Sequence, residues 1–313
     1  MAEPTFPVRR AFALLACFTV LATCMTRPPP ADTGGHVDFA EICHLLEVSM
    51  SVRSDPDAVV RSAWAGYYDS LDVVELPASS GRYLIGTLSA SSTQEIVIRG
   101  TANAANVLAD LRFAARRNER LGILLHEGFE SAALDMYRDL VPRLCVRCDL
   151  VLYGHSAGGA EAVILAALLR ADGYHVARVY TGGQPRFTDT EGGRALAGLP
   201  ILRVVNDGDL VPYLPPRGLY QHFGDAVVLL DGPYYCFLDG GRADEVMSSE
   251  YSRTFAHANL STQDRAHSIS GYLERARAKL ITAIQVPFDD RERFLPPAPL
   301  PPPRPRRSHA QPR

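Results

Sequence analysis

Lysine is nearly absent from this chain: Lys279 is the only lysine among 32 basic residues, and all the others are arginines. We attribute this imbalance to a bias in coding composition and derive no function from it. Positive charge is not in excess, because the 313 residues carry a net charge of -3 at pH 7. Nucleic-acid binding depends on a basic excess, so we expect no nucleic-acid partner.

An apolar run near the N-terminus is too short for a membrane span. Residues 11–22 form this run after Arg9 and Arg10, and small and polar residues follow it. A spanning helix needs about 20 apolar residues, whereas a basic start and about a dozen apolar residues are typical of an export signal. We therefore predict a signal over residues 1–26 and a secreted or periplasmic protein. Two alternatives are a lipoprotein signal, with Cys24 lipidated and the protein anchored to a membrane, and a buried apolar helix.

Cysteine is scarce, and its spacing does not favour a metal site. Two of the six cysteines lie in the predicted signal, and the others are Cys43, Cys145, Cys148 and Cys236. Cys145 and Cys148 form a CxxC pair, but the chain has no second CxxC and no suitably spaced histidine for zinc. In an exported protein these four cysteines could form two disulfides by three different pairings, and buried free thiols are the alternative.

Both ends of the chain differ in composition from the middle. Residues 27–35, RPPPADTGG, predict a linker. Residues 291–313 are rich in proline and arginine and predict an extended, disordered tail, because proline has no N–H and blocks helix and sheet ladders. Residues 36–290 are interpreted as one domain. A hydrophobic content of 47% is ordinary for a globular chain with a sizeable core.

Within this domain, short apolar runs alternate with helical patterns. Strands are predicted in RYLIGTLSA, EIVIRG, RLGILLHEGF, DLVLYGHS, HVARVYTGG and ILRVVNDGD. Helices are predicted in NVLADLRFAARR, ESAALDMYRDLVPRL, AGGAEAVILAALLRADG and DRAHSISGYLERARAKLITA. The alternation indicates an α/β fold with a mostly parallel central sheet and helices on both faces. Ligands bind at the carboxyl ends of the strands in such sheets.

One serine stands between two glycines at the junction of a predicted strand and a predicted helix. Gly154, Ser156 and Gly158 form G-x-S-x-G, whose sharp turn strains the serine backbone and leaves no room for side chains two positions away. The turn places the hydroxyl at a helix N-terminus, where the dipole favours negative charge and the N–H of Ala157 can face an oxyanion. We predict that Ser156 is a nucleophile. A tight turn with an incidental serine is the alternative.

A serine nucleophile needs a base and an orienting carboxylate, which follow it in the order Ser, Asp or Glu, His in this kind of fold. Asp207 and Asp209 both lie in the loop after the strand LRVVN, and either fits, although aspartates are common in turns. Of the later histidines, His222 precedes a strand and is interpreted as structural. His267 opens the last predicted helix and is favoured as the base over His257.

Taken together, these motifs resemble the fungal-type, or class 3, triacylglycerol lipase family over about residues 60–280. The resemblance lies in EIVIRGTANAANVLADL, LLHEGFESAA, YGHSAGGA, YTGGQPRF, RVVNDGDLVPYLPP and AHSISGYL, in this order. It implies an α/β-hydrolase fold and selects Asp209, rather than Asp207, as the partner of His267. It also implies that Thr101 and Ala157 form the oxyanion hole, although the family commonly has leucine where this chain has Ala157.

Further residues take their roles from the same resemblance. His126 and His155 occur in family motifs without transferring protons, and Tyr272 and Gln184 would be structural or would line the pocket. The implied activity is that of a carboxylic ester hydrolase, a lipase or esterase of lipid catabolism that forms an acyl-enzyme. It needs neither a metal nor an organic cofactor.

The expected partner is a lipid or another carboxyl-ester substrate, with contact to a lipid interface and no obligate protein partner. The segment TANAANVLAD, at the position of the family lid, has only small apolar residues before Val107. Such a lid would bury little apolar area, which favours a broader lipase or esterase over a strict triglyceride lipase. A phospholipase with the same triad and an inactive exported binding protein are the alternatives.

Overall fold

The computed structural model describes residues 37–54, 56–77, 79–99, 114–249 and 265–295. The predicted signal, the linker and most of the predicted tail lie outside these ranges, as do Cys24, Thr101 and His257. Within the described ranges, no helix combines the length and the apolar character that a bilayer crossing requires.

Nine strands form the central sheet. In spatial order they are β1 (Ser70–Leu76), β2 (Gly81–Leu88), β3 (Thr93–Ile98), β6 (Asp149–His155), β7 (Val176–Gly182), β8 (Ile201–Asn206), β9 (Asp225–Leu229), β10 (Tyr234–Leu238) and β11 (Ile284–Gln285). The five strands from β3 to β9 are mutually parallel, and antiparallel pairs occur only towards the sheet edges. The mostly parallel sheet predicted from the sequence is therefore confirmed. Strands β4 (Ala115–Asn118) and β5 (Ile123–His126) form a separate antiparallel pair.

Helices cover both faces of the sheet because its parallel strands are apolar on both sides. The larger helices are α1 (Phe39–Ser54), α3 (Glu127–Leu140), α4 (Ala157–Ala171) and α7 (Ile269–Arg277), and the shorter ones are α2 (Asp57–Trp64), α5 (Thr190–Leu196) and α6 (Ala243–Ser249). On one face, Ile96 and Leu152 share a core with α3 and α4. On the other face, Val97 and Val151 share a core with α1 and α7.

Two expectations from the sequence differ from the structure. The segment NVLADLRFAARR predicted a helix, but the part of it that the structure describes belongs to β4. Two contacts outweigh the helical pattern: β4 pairs with β5, and the Leu121 N–H donates to the Asn118 side chain in the turn between them. The predicted tail began at residue 291, but residues Phe288–Phe294 form a 3-10 helix in which Arg291 is buried.

The cysteines form one disulfide among the described residues. Cys145 bonds to Cys148 across the short loop before β6. Cys43 and Cys236 are buried and form no disulfide with another described residue. Of the two alternatives from the sequence, a disulfide therefore holds for the first pair and, among the described residues, buried thiols hold for the second.

Candidate active site

The backbone at Ser156 has the strained conformation that the motif predicted. Its φ is 59° and its ψ is -131°, in a region that non-glycine residues rarely occupy. The Ser156 N–H donates to the Gly182 carbonyl at 2.8 Å, which holds the turn between β6 and α4 against the end of β7. A Cβ atom on Gly154 would lie 1.9 Å from the carbonyl oxygen of Gly158. Only glycine fits at position 154, so the glycines permit the turn that exposes the hydroxyl.

Three predicted residues meet at the carboxyl edge of the sheet. His267 Nε2 lies 2.9 Å from Ser156 Oγ, and His267 Nδ1 lies 2.8 Å from Asp209 Oδ2. The side chain of Asp209 is fully buried, and Ser156 and His267 are nearly so. Although 58 residues separate Asp209 from His267 in the chain, the loop after β8 and the start of α7 bring them together.

Two further donors orient the carboxylate of Asp209. The Val211 N–H donates to Oδ1 at 2.9 Å, and the Tyr272 hydroxyl donates to Oδ2 at 2.6 Å. Burial, and secondarily the charge of Asp209, hold the pKa of Tyr272 well above its usual value, so the phenol stays neutral and can donate. The sequence interpretation gave Tyr272 a structural or pocket-lining role. The structure adds this direct contact with Asp209.

The loop that carries Asp209 is clamped by a buried arginine of the GQPR segment. Arg186 donates from Nη1 to the Tyr213 and Pro215 carbonyls, the second at 2.9 Å, and from Nε to Asp244 Oδ1 at 3.0 Å. Asp207 lies in the same loop but points elsewhere, with its carboxylate 3.4 Å from Arg291 Nε. The geometry thus distinguishes Asp209, which contacts His267, from Asp207, which contacts Arg291. The residue pattern alone could not distinguish them.

The backbone around His267 is fixed from both sides. Asn206, the last residue of β8, donates from Nδ2 to the Ala266 carbonyl at 2.9 Å. Ser268 caps α7 by accepting the Gly271 N–H at 3.0 Å. The His155 ring lies 4.8 Å from the His267 ring, and burial lowers the pKa of His155 well below its usual value. His155 is therefore an uncharged packing partner of His267.

Gly183 is a site residue that the sequence analysis missed. It follows β7 with a φ of +58°, and a Cβ atom there would lie 2.9 Å from Asp209 Oδ2 and 3.0 Å from His267 Nδ1. A side chain at this position would press on the Asp209–His267 pair. The only signal in the sequence was a pair of glycines at the end of the predicted strand HVARVYTGG.

The structure describes only one of the two residues predicted for the oxyanion hole. Ala157 is the first residue of α4, where backbone N–H groups have no partner within the helix. It is buried next to Ser156, and its role in the oxyanion hole stays a prediction. Thr101 lies outside the described residues, so its contribution stays a prediction.

Other residues singled out from the sequence lie apart from the Ser156–His267–Asp209 chain. His222 is buried, and its Nε2 donates to the Pro212 carbonyl at 2.6 Å, in agreement with a structural role. His126 stacks on Phe129 with ring centroids 4.3 Å apart. Gln184 is buried beside the first turn of α4. Across the described ranges, no group of three or more His, Cys, Asp or Glu side chains is arranged to hold a metal ion.

This geometry permits one kind of chemistry. An imidazole in contact with both a serine hydroxyl and a buried carboxylate can accept the serine proton as the oxygen attacks an electrophilic carbonyl. The carboxylate stabilises the imidazolium that forms, and the helix dipole of α4 favours the negative charge that develops on the substrate.

Comparison with known proteins agrees with this arrangement. Residues 95–219 match the sequence model of the family described as lipase (class 3), a range that includes Ser156 and Asp209 but ends before His267. A lipase of Rhizomucor miehei is 31% identical over 150 residues, which cover 44% of this chain and 41% of the relative. A secreted mono- and diacylglycerol lipase of Fusarium solani is 29% identical over 189 residues, covering 55% of this chain and 52% of the relative. The chain therefore spans about half the length of these relatives.

Solved structures show the same fold. The triacylglyceride lipase of Rhizomucor miehei superimposes with a TM-score of 0.53 at 24% sequence identity, over 62% of this chain and 82% of that chain. At this level of identity the likeness establishes the α/β-hydrolase fold, and it assigns no substrate to this chain.

Proposed function

Because residues 95–219 match the class 3 lipase family, we propose that this chain hydrolyses carboxyl esters of lipids with Ser156 as the nucleophile. One observation carries the proposal: Ser156 Oγ, the His267 ring and Asp209 Oδ2 form an unbroken chain of contacts of 2.9 and 2.8 Å. The match to the lipase family supports lipid ester hydrolysis as the reaction, and the contact chain supports these three residues as its catalytic triad.

The reaction proceeds in two halves. Ser156 Oγ attacks the ester carbonyl while His267 Nε2 accepts its proton, and Asp209 stabilises the imidazolium through Nδ1. His267 then donates this proton to the leaving alcohol, which breaks the ester bond and leaves an acyl group on Ser156. In the second half, His267 activates a water molecule that releases the acid and restores the serine.

The tetrahedral oxyanion is held by backbone N–H groups. We assign the Ala157 N–H to this role because Ala157 begins α4 next to the nucleophile. We assign the second N–H to Thr101 because it follows the strand β3 and the residues Arg99 and Gly100 in the family-like RGT segment. Loss of one such donor lowers the rate by about a hundred- to a thousand-fold in serine hydrolases.

We propose export for this protein. The basic and apolar pattern of residues 1–26 supports a signal, and the relative from Fusarium solani is named as secreted. A disulfide between Cys145 and Cys148 fits the same location, because disulfides persist in oxidising compartments.

The test is covalent labelling of the full chain with a fluorophosphonate, followed by peptide mass spectrometry. Beside it, turnover is measured on p-nitrophenyl acetate, butyrate and palmitate and on phosphatidylcholine. We expect one adduct on Ser156. Ser156→Ala should lose the adduct and lower turnover by on the order of a million-fold, as in the best-studied triad. Ser91→Ala, which changes an exposed serine far from the triad, should behave as wild type.

The outcomes separate the candidate functions. Highest turnover on palmitate indicates a lipase, highest turnover on acetate indicates an esterase, and preferential release of fatty acid from phosphatidylcholine indicates a phospholipase. A folded protein without adduct or turnover would overturn hydrolysis and favour an exported binding protein.

A further inference from the structure

Three exposed aliphatic side chains lie within five residues of the chain, shortly after α7. Leu280 is 45% exposed, Ile281 97% and Ile284 38%. We call these three residues the 280–284 patch. Exposed single apolar residues are common on proteins, but an isoleucine with almost its whole side chain in water, flanked by two further aliphatic residues, is not.

The 280–284 patch lies at the same edge of the sheet as the triad. Lys279 Nζ donates to the Leu230 and Gly232 carbonyls at 2.9 Å each, and Leu230 directly follows the carboxyl end of β9. Ile284 pairs with Tyr234 at the start of β10, which is antiparallel to β9 and therefore begins at this edge. Five strand positions separate β6 from β11, so the patch lies roughly 24 Å from the nucleophile at about 4.8 Å per strand.

The backbone holds the 280–284 patch in its exposed position. The Leu280 N–H donates to the Arg277 carbonyl at 3.1 Å, and the Ile284 N–H donates to the Pro233 carbonyl at 2.8 Å. Hydrogen bonds on both sides of Ile281 thus tie this segment to α7 and to the β9–β10 turn.

Two arginines shortly before the 280–284 patch in the chain are paired with carboxylates. Arg275 Nη2 lies 2.9 Å from Asp231, and Arg277 Nη2 lies 2.7 Å from Glu47. The one lysine of the chain is buried with three carbonyl acceptors. Such surroundings offer little net charge, so they suit an apolar partner without net charge better than an anionic one.

We propose that the 280–284 patch docks the protein on a lipid surface without net charge and so brings the triad edge to that surface. This inference rests on the proposed function, because water-insoluble esters must be taken from such a surface. A second copy of the chain fits the patch less well, since a stable protein interface needs about 800 Å² on each partner and more than three side chains. A lipid surface, in contrast, accepts single aliphatic side chains.

The test compares Ile281→Asp with Val146→Asp in the full chain. Val146 is 76% exposed between the two bonded cysteines, just before β6, so it lies at the opposite edge of the sheet and provides a matched control. Binding is measured by flotation with phosphatidylcholine vesicles, and activity is measured on emulsified triolein and on soluble p-nitrophenyl acetate.

We expect Ile281→Asp to lower vesicle partitioning about tenfold or more and to lower triolein turnover similarly, because an aspartate resists transfer into lipid. Turnover of p-nitrophenyl acetate should stay unchanged, and Val146→Asp should match wild type in every assay. Binding should persist in about 1 M sodium chloride, where the Debye length is only about 3 Å.

Three results would overturn the inference. The first is equal partitioning of Ile281→Asp and wild type, and the second is binding that requires anionic lipid and disappears in high salt. The third is a wild-type dimer in solution that Ile281→Asp converts to a monomer while no vesicle binding occurs. Failure of the proposed function gives a different pattern: Ser156 stays unlabelled by the fluorophosphonate, while the patch variant still loses vesicle binding and lipid docking stands.

Discussion

The hydroxyl of Tyr272 and Nδ1 of His267 converge on the same oxygen, Oδ2 of Asp209, at 2.6 and 2.8 Å. His267 lies two residues before α7, and Tyr272, five residues further along the chain, lies in the first turn of that helix. One short stretch of chain, the first turn of α7 and the residues just before it, therefore supplies both the imidazole and a donor that holds its carboxylate partner in place. Small displacements of α7 would move both contacts together.

Tyr272→Phe should weaken the orientation of Asp209 without removing it. The carboxylate keeps the Val211 N–H and His267, so we expect turnover to fall about tenfold with KM nearly unchanged. Loss of a hydrogen bond to a charged group should cost about 1.5–3 kcal/mol of unfolding free energy. Tyr153→Phe is the control, because the Tyr153 hydroxyl is buried without a hydrogen-bond partner among the described residues. Equal kinetic effects of both variants would refute the role given to Tyr272.

Gly183→Ala should disturb the triad directly. The added Cβ would press on Asp209 Oδ2 and His267 Nδ1, so we expect turnover to fall about ten- to a hundred-fold, since an error of about 1 Å in position costs about that much. Gly173→Ala is the matched control, because Gly173 also has a positive φ of +87° but open space around it. Both variants should lose stability through backbone strain, as thermal unfolding would record, and only Gly183→Ala should lose turnover. Full activity of a folded Gly183→Ala protein would show that the triad tolerates this contact.

Glu161 makes stability depend on pH. Burial in α4 raises its pKa from 4.5 to about 8, and the described contacts include no hydrogen bond or ion pair for its carboxylate. Between these pH values the folded state binds more protons than the unfolded state, so the free energy of unfolding falls as pH rises from about 4.5 to about 8. One pKa unit corresponds to about 1.4 kcal/mol, so the cost at pH above 8 amounts to a few kcal/mol.

Glu161→Gln should remove this dependence. Thermal unfolding at two pH values, one near 5 and one near 9, should show equal stability of variant and wild type at the lower value and a more stable variant at the higher value. Glu130→Gln is the control, since Glu130 is buried but contacts Arg116 and Asn118 at 2.8 Å each, and its replacement should destabilise the protein. Parallel pH curves for Glu161→Gln and wild type would contradict the prediction.

The disulfide between Cys145 and Cys148 should contribute to stability and not to turnover. It closes a loop of four residues, for which chain entropy predicts a contribution of about 2 kcal/mol. Replacement of both cysteines by serine should lower the free energy of unfolding by about this amount and leave ester turnover unchanged, as denaturant unfolding and kinetics would record. In the wild type, alkylation followed by peptide mapping should modify Cys43 and Cys236 only after unfolding. Modification of Cys145 without a reductant would contradict the assigned pair.

The sequence by itself determined the local parts of this protein. The strand-to-helix turn at Ser156 was predictable because its constraint acts within a few residues: a side chain on Gly154 would collide with the Gly158 backbone. The alternation of strands and helices similarly predicted the mostly parallel sheet, since apolar runs and helical periodicity are local signals. The chain order of serine, aspartate and histidine followed from the motifs.

Only the tertiary structure showed which distant residues meet. The residue pattern left Asp207 and Asp209 open, and the family resemblance selected Asp209. In the structure, Asp209 faces His267 while Arg186 and Tyr272 bond its loop, contacts that no periodic pattern records. The role of Gly183 and the helix α1, which packs against α7, also escaped the sequence analysis. These features depend on the order in which strands lie side by side, and long-range packing sets that order, whereas a sequence pattern reports only on neighbours along the chain.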